Sequence, residues 1–184
     1  MEAKKKLFEV DVRSDKKLAT RLYVTTVLLV FPFFWLFGFI ASKVEFQNVM
    51  NELQFIEALF VFLLLIIMHE WIHGLFFKIF CPKNPVKYGI KWKTGMAYAI
   101  SPNSLYNRFQ TVVIALAPFV LISLGLTASA MFGWLDKGAY QILATMHSVA
   151  CIGDFYYTYL LMAKFKEVVV EVAVTERGLI IYQA

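Results

Sequence analysis

Charged side chains are absent from Leu22 to Ser42 and from Phe109 to Leu135. Each stretch reaches the ~20 apolar residues that a helix needs to cross a hydrocarbon core ~30 Å thick. Two further apolar windows, about Glu57 to Phe80 and about Tyr140 to Ala163, are interrupted by only a few ionisable groups. These are His69, Glu70 and His73 in the first window and His147 and Asp154 in the second. The pattern predicts a mainly α membrane protein with about four transmembrane helices, near residues 22–41, 57–80, 110–132 and 140–163, in a single membrane-embedded domain over 1–184. Pro32 lies inside the first span, where neighbouring helices can re-satisfy the backbone group it frees. The aromatic run Phe31, Phe33, Phe34, Trp35, Phe37 and Phe39 is expected to face lipid and neighbouring helices.

The periodicity changes outside the spans. After the second span, Pro82 and Pro85 end the helix, and "VKYGIKW" and "MAYAI" flank Lys93-Thr94-Gly95. Alternation on both sides of a glycine-containing turn predicts a β-hairpin near 86–100. After the fourth span, "VVVEVAVTERGLIIY" reads as two more strands around Glu176-Arg177-Gly178, near 168–182. Together these would form a small β element at the cytoplasmic membrane surface. No internal repeat or low-complexity linker is visible.

Composition agrees with this reading. Of 184 residues, 60% are hydrophobic and 17% charged, and the mean hydropathy of +0.64 is too high for an ordinary soluble domain. Positive charge also orients the chain, because lysine and arginine stay on the cytoplasmic side. All but Lys43 and Lys137 of the 18 basic residues fall before the first span, between spans two and three, or after span four. Both termini are therefore expected inside. The net charge of +5 suits anionic lipid headgroups and is not read as nucleic-acid binding. About twenty polar residues precede the first span, so it is expected to be a retained helix, without a cleaved signal. Cys81 and Cys151 lie at the cytoplasmic end of span two and inside span four, and no disulfide is expected.

The motif "MHEWIHG" at residues 68–74 calls for an explanation. Ionisable side chains near the middle of a membrane helix are disfavoured by roughly 2.5–3.5 kcal/mol on insertion scales. On a helix, His69 and His73 project from the same face one turn apart, so both imidazoles can reach one metal ion. Glu70 can polarise a metal-bound water without itself ligating. This is the H-E-x-x-H arrangement of zinc peptidases, two ligands and a general base. Zinc commonly takes a third protein ligand, and the embedded candidates are His147 and Asp154. Seven residues apart, they stand ~10 Å from each other along a helix axis. If spans two and four run the same way, Asp154 and the His69–His73 midpoint are each about fourteen residues, or ~21 Å, from the outer end. His147 would then lie roughly 10 Å too shallow. Asp154 is the expected third ligand and His147 the fallback, read otherwise as an interhelical hydrogen-bonding residue.

The segments "HEWIHGLFFKIF", "YGIKW", "YAISPNSLYNRFQTVVIALAPFVL" and "GDFYYTYLL" resemble a family of small bacterial membrane proteins catalogued as DUF3267 and regarded as zincin peptidases. The resemblance runs from about Glu57 to the C terminus. It implies a bacterial cytoplasmic-membrane location, Zn2+ as cofactor, and, by analogy with site-2-type intramembrane metalloproteases, His69, His73 and Asp154 as ligands with Glu70 as base. One departure from the site-2 pattern is the setting of the aspartate, Ile-Gly-Asp-Phe in place of Leu-Asp-Gly.

The expected function is thus intramembrane zinc-dependent hydrolysis of peptide bonds in or next to the bilayer. The expected partners are membrane lipids and a membrane-protein or peptide substrate held extended, for which the hairpin offers a strand edge. Two alternatives use the same residues: a non-enzymatic metal-binding or structural membrane protein, and a small metal or proton transporter. Transport folds are often built on inverted repeats; here a homo-oligomer would have to supply that symmetry.

Overall fold

The computed structural model describes residues 5–11, 15–44, 55–91, 96–176 and 178–184. In chain order these form β1 (Lys6–Glu9), α1 (Lys16–Lys43), α2 (Phe55–Phe80), β2 (Lys87–Lys91), β3 (Met96–Ile100), β4 (Tyr106–Asn107), α3 (Arg108–Met131), α4 (Lys137–Ala150), α5 (Ile152–Tyr159), a π-helical turn (Leu160–Lys164), β5 (Val170–Thr175) and β6 (Gly178–Gln183). Helix starts follow local chemistry. Asp15 accepts from the Leu18 N–H ahead of α1, and Asp136 accepts from the Ala139 N–H ahead of α4. Asn107 and Gln110 exchange side-chain-to-backbone bonds at the start of α3, a reciprocal capping box.

Among the described residues, α1, α2 and α3 are long and apolar enough to cross a membrane. The expected fourth span is different. Cys151 ends α4, its N–H shared between the carbonyls of His147 and Ser148, so the segment divides into α4 of 14 residues and α5 of 8 residues, the latter continued by the 5-residue π-helical turn. Each alone is shorter than the ~20 residues a crossing requires.

The chain groups into two compact units. One comprises Leu22–His69 and Phe119–Ile152, and its described elements are all helices. Its inward positions include Phe37, Leu65, Ile122, Leu126, Tyr140 and Leu143. The Tyr140 hydroxyl is 3.1 Å from that of Thr127, and its ring meets Phe37 edge-on. Trp35, Phe31, Leu28, Phe60 and Ile67 remain exposed, which suits lipid as the surrounding solvent. Within the expected aromatic row, Phe37 is the member turned to a neighbouring helix, 3% exposed.

The other unit comprises Met1–Arg21, Glu70–Pro118 and Gly153–Ala184. Both expected hairpins are present: β2 pairs antiparallel with β3, and β5 with β6. Their turn residues Lys93-Thr94-Gly95 and Arg177 lie outside the described residues. The strands belong to separate sheets, β2-β3 and the four-stranded β1-β6-β5-β4. Strands β1 and β4 carry no sequence signal of their own. The first lies in a basic tail and the second is two residues long. Val170, Val172, Leu179 and Ile181 pack with Val10, Leu160 and Leu161 into one core. Phe77, Ala99, Tyr106 and Ile114 form a second. Arg108 donates to the carbonyls of Phe165 and Val168, so this membrane-border arginine closes the chain between the π turn and β5.

Gly178 begins β6 at φ +146°, and a Cβ there would stand 2.3 Å from the Val10 carbonyl oxygen. Both backbone strain and a backbone clash oppose any side chain. Gly178→Ala should therefore destabilise the sheet by roughly 1–3 kcal/mol, read as a lower thermal-unfolding midpoint in detergent. Gly125→Ala, where an added Cβ meets nothing within 4 Å, should leave that midpoint unchanged.

Candidate metal centre

Helix α2 carries His69, Glu70 and His73 in one continuous helix, so its period alone sets the two histidines one turn apart on a shared face. The outward face of the helix is largely apolar, with Leu63, Ile67, Trp71 and Leu75 exposed. His73, by contrast, is 7% exposed.

His73 has a polar neighbour at each ring nitrogen. Its Nδ1 lies 2.9 Å from the Ile114 carbonyl oxygen. A carbonyl can only accept, so Nδ1 carries the proton, and in the neutral imidazole Nε2 presents its lone pair. That carbonyl is available for a reason written in the sequence. Pro118, four residues on in α3, has no N–H to offer it. The Nε2 atom faces Asp154 Oδ1 at 3.5 Å. This exceeds the ~2.7–2.9 Å of a charge-assisted hydrogen bond. It does match the separation of two ligands on one tetrahedral zinc, which bond lengths of ~2.0–2.2 Å put about 3.3–3.4 Å apart. A histidine ligand whose other ring nitrogen donates to a backbone carbonyl is also the usual zinc arrangement. By geometry and donor chemistry, His73 and Asp154 fit a zinc ion.

Tyr88 in β2 was not singled out by the sequence. Its hydroxyl rests on α2 at Gly74, where a Cβ would come within 1.8 Å of it. Burial of that end and, secondly, the Glu70 carboxylate raise its pKa above the ordinary phenol value. At neutral pH Tyr88 is therefore an uncharged donor beside Glu70. The only sequence hint was the pairing of a helix glycine with a tyrosine-bearing strand.

In the helical unit, His147 and Cys151 accompany His69. His147 Nε2 is 3.2 Å from His69 Nδ1, and the rings meet at 63° with centroids 5.4 Å apart. His147 was expected roughly 10 Å too shallow for the motif. That arithmetic used the His69–His73 midpoint, whereas His69 is the shallower of the pair and the two side chains span the remaining gap. Cys151 Sγ stands 3.8 Å from His69 Nδ1 and 3.9 Å from His147 Nε2. Its sequence signal was the four-residue spacing from His147, the same spacing that joins His69 to His73.

No curated protein and no solved structure matches the chain. The sequence profile of a family described as "Putative zincin peptidase" matches residues 62–169, a stretch that includes α2 from Phe62, the β2–β3 hairpin, all of α3 and Asp154. That stretch is more than half of the chain, and with it this protein belongs to the DUF3267 zincin-peptidase family.

Proposed function

We propose that this protein is an intramembrane zinc metallopeptidase of the H-E-x-x-H type that hydrolyses peptide bonds in or next to the bilayer. The observation that carries the reading is the setting of His73, with its Nδ1 proton on Ile114 and its Nε2 turned to Asp154 at 3.5 Å. His73 and Asp154 would hold zinc together with His69, one helical turn away on α2. Bound zinc supplies Lewis acidity and a hydroxide nucleophile near neutral pH. Glu70, between the two histidines in sequence but not needed as a ligand, takes the proton of the attacking water and returns it to the leaving amine. The Tyr88 hydroxyl, protonated at neutral pH, is a donor for the oxygen that gains charge at the scissile carbonyl.

A helical substrate has its backbone groups occupied, so the cleaved segment has to be extended. Among the described residues β2 and β3 pair only with each other. The hairpin therefore has backbone edges to which an extended segment can add, on the same strand that brings Tyr88 beside Glu70. Membrane lipids and a membrane-protein or peptide substrate are the proposed partners, with both termini cytoplasmic and a homo-oligomer compatible with the reading.

Three outcomes test the proposal in purified full-length protein. Glu70→Gln should lower peptide hydrolysis ~10²–10⁴-fold with zinc content unchanged, whereas Asp154→Ala should lose the zinc as well; a metal-dependent scaffold would not respond to Glu70→Gln. Pro118→Ala restores an N–H that competes for the Ile114 carbonyl and should weaken zinc affinity by about tenfold, toward the lower end of outer-shell effects, measured by competition with a chelator. Ile90→Pro in β2 should reduce turnover without zinc loss, and unchanged turnover would remove the strand-addition step.

A further inference from the structure

His147 and Cys151 have no part in the proposed hydrolytic centre, yet both are buried, at 2% and 0% exposure, and both turn toward His69. We infer that His69, His147 and Cys151 form a second, thiolate-containing metal position for a borderline or soft ion such as Zn2+. This goes beyond the peptidase reading and does not depend on hydrolysis: the position takes His69 through Nδ1, and the hydrolytic zinc would take the same imidazole through its other nitrogen.

The geometry is a closed triangle of donors. His69 Nδ1, His147 Nε2 and Cys151 Sγ lie within 4.8 Å of one another, with edges of 3.2, 3.8 and 3.9 Å. Zinc–nitrogen bonds of ~2.0–2.1 Å and a zinc–sulfur bond of ~2.3 Å place tetrahedral ligands about 3.3 Å apart between nitrogens and about 3.6 Å apart between nitrogen and sulfur. The observed edges follow that order, one short and two longer, the sulfur being almost equidistant from the two nitrogens. A hydrogen bond between two imidazoles would explain the short edge alone. It gives no reason for a cysteine centred on the other side.

The backbone favours this arrangement. His147 and Cys151 share a helix face at a spacing of four, and Cys151 ends α4, so its side chain leaves the last turn toward the histidine below it. The thiol has a partner in the His147 carbonyl, 3.2 Å from Sγ. Metal binding breaks the S–H bond, forms a metal–sulfur bond and releases one proton to solvent. Two imidazoles and a thiolate select zinc, cobalt or copper(I) over magnesium or calcium.

Cobalt(II) titration of the anaerobic, reduced, full-length protein tests the inference, because a thiolate bound to cobalt(II) produces a charge-transfer absorption in the near ultraviolet that nitrogen and oxygen ligands do not. The band is expected in wild type, Cys81→Ser and Asp154→Asn, and absent from Cys151→Ser. Wild type without the band, a band surviving Cys151→Ser, or a band lost with Asp154→Asn would each overturn the inference. If Cys151→Ser fails to fold, Cys81→Ser decides: the chain has two cysteines, so a band in that variant belongs to Cys151, and its absence there overturns the proposal. Loss of hydrolysis in Glu70→Gln leaves all of these readouts unchanged, so the two proposals fail separately.

Discussion

A buried imidazole has to satisfy two ring nitrogens, and His73 is buried on a helix apolar enough to cross a membrane. One nitrogen gives its proton to the Ile114 carbonyl, and the other faces the Asp154 carboxylate, with which it would share a zinc ion. Leaving either group unmatched in hydrocarbon would cost several kcal/mol. The partner carbonyl comes from the main chain of α3, released by a proline that would break a helix in water. A residue that reads as a local defect thus supplies the acceptor that orients a buried histidine.

The same demand explains how polarity is distributed along α2. In a water-soluble helix the histidines and glutamate would face outward and the leucines inward. Here Leu63, Ile67 and Trp71 are outside, and the inward positions carry His73 and the small Gly74, on which the Tyr88 hydroxyl rests. Glycine at this point lets a strand from outside the spans bring a phenol up to the helix beside Glu70. In the helical unit, His147 and Cys151 repeat the device of two ligand-type residues one turn apart, aimed at His69.

Much of this was legible in the chain. The charge-free runs announced α1 and α3, and the interrupted run announced α2 with its motif already in register, because spacing on a helix is a property of the backbone. Alternation around glycine turns announced both hairpins. Strand β1 was hidden in a basic tail, since its pairing with β6 depends on a partner more than 170 residues away. The break within the expected fourth span was hidden for a related reason. Apolar composition over 140–163 is the same whether or not the helix stops at Cys151, and the stop is made by backbone bonds that hydropathy does not register.

By itself the sequence determined what depends on neighbours in the chain: the membrane-length helices, the shared face of His69 and His73, the place of Glu70 between them, and the proline that withholds an N–H from Ile114. Only the tertiary structure decided which distant groups those residues meet. That Asp154 faces His73, that Tyr88 lies against Gly74, and that His147 and Cys151 converge on His69 depend on how separate elements pack. Packing is set by side-chain volume and close approach between segments far apart in the chain, which helical and strand periods do not encode.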